Sequence, residues 1–292
     1  MNPINTTPYS LPPNATWLTL TSVTQTFSVA AAHFGPFFHI DVLVNNTGYS
    51  LAGDTEPVTE EQMHDELETL FFGTVRVAIQ AVRVRVMRSH PAGRGGVIFN
   101  ISSVAGVCAF PGHASLHCSS KFAVEGWTEA FAREMKSDWN EQKHRVNLIW
   151  LFLFTVNFCL VEPGSVKTNV ETTSKKHIAP HEAYAGADMP ARQLGAFHRK
   201  SIEAGAGAQP EEIARVLYTV ASRGEKIPLH LPLSETAVRF IGMKLKGRLE
   251  GLEEVTDLSG LDVGEVFCVI RFEWFTAQTA SFAQKDGIRP QL

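Results

Sequence analysis

The 292-residue chain reads as an α/β protein, a doubly wound parallel β-sheet with helices on both faces. Three observations predict this class. Short apolar runs rich in β-branched residues recur at residues 40–44, 96–103 and 158–161. Segments with apolar residues at three- and four-residue spacing lie between them. Each run closes on a loop signal: Asn45-Asn46-Thr47-Gly48, Ser102-Ser103 and Glu162-Pro163-Gly164. In such a sheet ligands sit beyond the carboxyl ends of the strands, so these three loop signals are where function is expected.

Along the chain, residues 17–21 read as a short strand. Residues 29–34 read as the end of a helix that Gly35 stops. Residues 60–88 carry Met63, Leu67, Leu70, Phe71, Val75, Ile79, Val82 and Val86 at helical spacing, which predicts one long helix. Residues 122–136 predict another, with Phe122, Val124, Trp127, Ala130 and Phe131 broadly on one side. A polar loop spans 167–186, and helices are expected at 210–223 and 234–249. The aromatic tail after Asp262 reads as an edge strand or an oligomer contact.

Composition narrows the function classes. At 44% hydrophobic and 19% charged, the chain has apolar material for one sizeable core. A net charge of −4 without a Lys/Arg run argues against a nucleic-acid partner. Four cysteines (Cys108, Cys118, Cys159, Cys268) form no CxxC pair. With no basic-then-apolar leader visible in residues 1–13, a reducing cytoplasmic setting is expected. Residues 146–161 lack any charge, but the run is shorter than the ~20 residues a bilayer span needs and is broken by Asn147, Thr155 and Asn157. It reads as a buried strand with an attached insertion, and no membrane partner is expected. His113, His117 and Cys118 have HxxxHC spacing, but no fourth ligand accompanies them, and no metal is expected.

The strand-end signals, in this order, resemble the short-chain dehydrogenase/reductase family. Asn45-Asn46-Thr47-Gly48 looks like its NNAG turn, and Asn100-Ile101-Ser102-Ser103 like the strand that carries its serine. His117-Cys118-Ser119-Ser120-Lys121 is similar to its YxxSK segment, and Pro163-Gly164-Ser165-Val166-Lys167-Thr168 matches its PGxxxT. The resemblance implies a Rossmann-like sheet over residues 17–262, flanked by a polar segment at 1–16 and a tail at 263–292. Residues 147–156 look inserted, because Val146-Asn147-Leu148 recurs as Val156-Asn157-Phe158.

It also implies an NAD(P)-dependent oxidoreductase, NAD or NADP, acting on an alcohol or ketone. Ser103 would orient the substrate oxygen and Lys121 would hold the nicotinamide ribose. Asn45 and Gly48 would lie on the adenine-ribose side, and Pro163, Gly164, Val166 and Thr168 over the nicotinamide. The family uses a phenol as general acid/base, and a phenol titrating near pH 10 needs a nearby cation to bring it towards neutrality. Here His117 stands in the tyrosine's place, and Leu70 stands where the relay asparagine is expected, in Leu70-Phe71-Phe72-Gly73. The glycine-rich phosphate turn is not found, since the first glycine is Gly35, and the aspartate of the family's DVT signal corresponds to Ser22. The expectation is therefore a scaffold lacking its first two strands, poor dinucleotide binding and impaired turnover, with His117 either an incidental polar side chain or a substitute acid/base. The alternative is a catalytically silent relative that serves as a binding or oligomerising module, with a homo-oligomer as its partner state.

Overall fold

The computed structural model describes residues 19–35, 38–83, 96–112, 115–135, 156–171 and 173–255. The inserted-looking residues 147–155 and the tail from 263 lie outside them, as do residues 17 and 18. The first compact unit runs to Lys244 and a second begins at Leu245.

The first helix, α1 (Leu20–Phe34), starts where Thr19 accepts a hydrogen bond from the Ser22 backbone N–H. Thr19 and its successors thus form a cap and a first helical turn instead of the strand expected at 17–21. A threonine side chain that satisfies an orphan helix N–H outweighs the local β propensity. Ser22 accordingly occupies the first turn of a helix, so it does not stand at a strand end. Gly35, at φ +80°, ends α1 in a backbone conformation that residues with a Cβ rarely adopt.

Strands β1 (Val42–Asn45), β3 (Val97–Ile101), β4 (Asn157–Pro163) and β6 (His230–Leu233) form one parallel sheet in the order β1-β3-β4-β6. Asn45 pairs with Asn100, which pairs with Leu160, so the loops after these strands all leave at one end. Helices lie on both faces, as expected. Phe158 and Ile98 pack on one side with Val23 and Phe27 of α1, with Ala78 and Ala81 of α3 (Gly73–Arg83), and with Ala132 of α4 (Leu116–Met135). On the other side, Phe99, Cys159 and Val161 pack with Leu217 and Val220 of α6 (Pro210–Ser222). The alternation of Ile98 and Phe99 between two cores follows from the two-residue period of a strand. Among the described strands β1 is an edge, with Val42 and Val44 exposed.

The expected long helix at 60–88 is interrupted. Helix α2 (Glu60–Leu67) has a capping box between Thr59 and Gln62. A π turn at Glu68–Phe72 follows, in which the Gly73 N–H reaches back five residues to Glu68, before α3 resumes. The Arg76 guanidinium grips the Glu68 carboxylate across this turn. The expected polar loop is partly ordered. β5 (Lys175–His177) pairs in parallel with β2 (Ser50–Ala52), and α5 (Pro190–Glu203) is anchored by Arg192 on the buried Asp54. A last helix, α7 (Glu235–Glu254), contains the boundary between the units. No described helix is long and apolar enough to cross a membrane.

Candidate active site

Helix α4 brings the motif residues to the carboxyl end of the sheet. Lys121 is nearly buried at 9% exposure, and its Nζ donates to the Ile101 carbonyl at 2.9 Å, two residues before Ser103. Burial lowers its pKa to about 8, against the pull of Glu66 and Glu125. The ammonium is therefore still charged at neutral pH. Ser103 follows β3 half-buried and caps a short 3-10 turn, accepting from the Ala105 N–H at 3.0 Å, which leaves its own O–H to donate.

His117 lies one helical turn before Lys121 on the same face of α4, as the i, i+4 spacing requires. Its Nδ1 sits 3.2 Å from Oε1 of Glu66, a residue of α2 with no exposed surface. Glu66 was not singled out from the sequence. It is one of three glutamates within a polar first stretch of α2, and only packing across 51 residues of chain brings it to His117.

Tyr49 also lies near Glu66, and its phenol is pushed well above its ordinary value by burial and by the Glu66 carboxylate. That is the reverse of the shift tyrosinate chemistry needs. Leu70, in the relay position, is 1% exposed within the π turn. A Cβ on Gly48 would come within 2.8 Å of its side chain.

The other expected residues have structural partners of their own. The Asn45 amide donates to Asn100 at 2.8 Å, and the Asn100 amide donates to Thr128 of α4 at 2.8 Å, a polar chain that ties β1 through β3 to α4. The Gly164 N–H donates to Leu233 at the end of β6, and a Cβ there would meet the Ser234 hydroxyl at 2.6 Å. Val166 pairs with Ala208, and Thr168 is exposed and accepts from the Val170 N–H. A shallow depression beside the start of α4 is lined by Ala109, Phe110, Ser115, Cys118, Ser119 and Phe122.

The nicotinamide end of a dinucleotide fits this donor set. Lys121 has three N–H donors, one of which is taken by the Ile101 carbonyl at the end of β3.

The family model for short chain dehydrogenases matches residues 15–179. The chain is 59% identical over 245 residues to the oxidoreductase calM of Penicillium decumbens, covering 84% of this chain and 75% of that one. It is 29% identical to the uncharacterized oxidoreductase C162.03 of Schizosaccharomyces pombe, with 82% and 72% coverage. Among solved structures, a short-chain dehydrogenase from Streptomyces avermitilis superposes with a TM-score of 0.65 at 25% identity, covering 86% of this chain and 78% of that one. The actinorhodin polyketide ketoreductase with NADPH superposes with a TM-score of 0.55 at 24% identity, with 74% and 73% coverage. By sheet, motif order and sequence identity, this chain belongs to the short-chain dehydrogenase family.

Proposed function

We propose that the protein is an NAD(P)-linked oxidoreductase of an alcohol or ketone whose turnover is strongly impaired by its proton-transfer position. The observation that carries this reading is His117, held by Glu66 one helical turn before Lys121, where the family's chemistry needs a phenol. The dinucleotide supplies a hydride donor or acceptor when bound. Lys121 would hold its ribose hydroxyls, with Asn45 and Gly48 on the adenine-ribose side and Pro163, Gly164, Val166 and Thr168 over the nicotinamide.

Ser103 donates to the substrate oxygen, and His117 gives or takes the proton there. Imidazole is shorter than phenol, so proton delivery across the distance a phenol would span is inefficient. The Leu70 side chain provides no polar atom to anchor a relay water, which leaves the site poorly connected to bulk proton donors. The NADPH-bound ketoreductase among the structural relatives supports the choice of cofactor class.

The test is reduction of a panel of ketones by the purified chain with NADPH. Turnover should fall several orders of magnitude below the ordinary enzyme range of about 1–10³ s⁻¹, and His117→Tyr should raise it at least about tenfold. Turnover by the unaltered chain within the ordinary range would overturn the reading. No turnover in either form, with NADPH bound, would favour the catalytically silent alternative.

A further inference from the structure

A second cluster lies on α4 beyond Lys121. Glu125 follows Lys121 by one helical turn, and Glu129 follows by another. Across the sheet, Leu160 faces His230 and Glu162 faces Pro232 in the parallel β4–β6 ladder. Two-residue alternation puts His230 and Glu162 on one face. It is the face α4 covers, since Phe158, on the same side of β4, packs against Phe131 at 5.2 Å between ring centres.

The groups converge. His230 Nδ1 is 2.8 Å from Glu162 Oε1 and 3.7 Å from Glu125 Oε2, and its Nε2 is 3.8 Å from Glu129 Oε1. One donor atom each from Glu125, Glu162 and His230 lies within 4.8 Å of the others.

Two buried carboxylates share one imidazole in this pocket. Glu125 and Glu162 are 6% and 2% exposed, yet neither oxygen of Glu125 accepts a hydrogen bond. The buried Ser102 hydroxyl lies beside Glu125 and opposes the upward shift of its carboxyl. A carboxylate buried in this way is costly unless something positive meets it. Gly106 makes room for these two side chains, since a Cβ there would stand 2.5 Å from Ser102 Oγ and 3.1 Å from Glu125 Oε1. Burial, with the Glu162 charge adding to it, pushes Glu125 up to about 7. Its hydrogen bond to Glu162 raises His230.

We propose that Glu125, Glu162 and His230 bind a divalent transition-metal ion, with Zn²⁺ best matched to the donors, clamping α4 to β4 and β6. Zinc bonds to nitrogen and oxygen are about 2.0–2.2 Å, so tetrahedral geometry sets neighbouring donors about 3.3–3.6 Å apart. The observed 2.8 and 3.7 Å bracket that separation. The ion binds the neutral imidazole through Nδ1, and protons held on Nδ1 or Glu125 leave to solvent. Nε2 is left 3.8 Å from Glu129 Oε1, close enough for that carboxylate to favour the ligating imidazole electrostatically. The His230 side chain is 45% exposed, so solvent reaches one side of the cluster.

The test uses the full chain freed of metal by chelator and titrated with ZnCl₂ by calorimetry and with Co²⁺ by visible absorption. We expect one ion per chain at micromolar affinity or tighter, with the absorption of a tetrahedral cobalt site. His230→Ala should weaken binding at least a hundredfold, and Glu129→Gln about tenfold. If His230→Ala does not fold, Glu125→Gln, which keeps the side-chain volume, should show a comparable loss. Absence of stoichiometric uptake by the folded chain, or unchanged affinity in both His230→Ala and Glu125→Gln, would overturn the proposal.

Discussion

Two histidine–carboxylate pairs flank Lys121 on α4, and they resemble each other in distance but not in charge count. His117 meets Glu66 at 3.2 Å and His230 meets Glu162 at 2.8 Å. The first pocket contains one buried carboxylate beside an imidazole and a buried ammonium. The second contains two buried carboxylates for a single imidazole, and Glu125, which shares the Lys121 ammonium with Glu66, is the group whose pKa climbs to about 7. A short contact therefore says little about whether a buried ionic site is satisfied. The number of like charges that must share it decides.

The largest effect that tests this contrast is on Glu66. Glu66→Leu removes the anion from beside His117 and Lys121 and should cost about 3 kcal/mol of stability, because breaking a buried pair strands its partner. The shift of the urea midpoint at pH 7 measures it. A loss below about 1 kcal/mol would mean that Lys121 does not depend on Glu66.

Next comes the alkaline limb. Lys121 titrates near 8 in the folded chain and at its ordinary value, about 10.4, when unfolded. Between those values the unfolded chain binds more protons, so stability should rise with pH. Burying the charged form carries its full cost below pH 8, and that cost is relieved above it. The gain is roughly 2–3 kcal/mol between pH 8 and 10.5. Urea melts over that range should show the slope, and Lys121→Met should flatten it.

The smallest effect is expected at Glu125. In metal-free protein, Glu125→Gln removes one of two like charges and should change stability by less than about 1 kcal/mol, in either direction. A loss as large as that of Glu66→Leu would erase the distinction between the two pockets.

Much of this was legible in the sequence, for physical reasons that differ by residue. Three strands of the main sheet carry long apolar runs and stood out. β6 did not, because His230-Leu231-Pro232-Leu233 is four residues long and contains a proline. Lys121, Ser103 and His117 were found because their spacing on one helix or strand end is a local property. Glu66, Glu162 and His230 gain their meaning only from packing across 51 and 68 residues of chain, and no local pattern marks them. The helix start at Thr19 was misread as strand because β-branched residues near a terminus look alike in both settings until the cap is seen. The π turn left no trace in the apolar periodicity, since Leu67, Leu70 and Phe71 suit either winding.

That turn has a consequence for how the first pocket is aimed. A π turn holds one residue more than the α-helix around it, so α2 and α3 are out of phase by about 100°. Deleting a single residue within Glu68–Phe72 would let one unbroken helix run through, and everything upstream would rotate by that angle. The Glu66 carboxylate would then face a different neighbour, leaving the imidazole of α4 without its anchor although no residue of the pair had been altered. The pointing of this acid is thus written in the winding of the backbone two residues downstream of it.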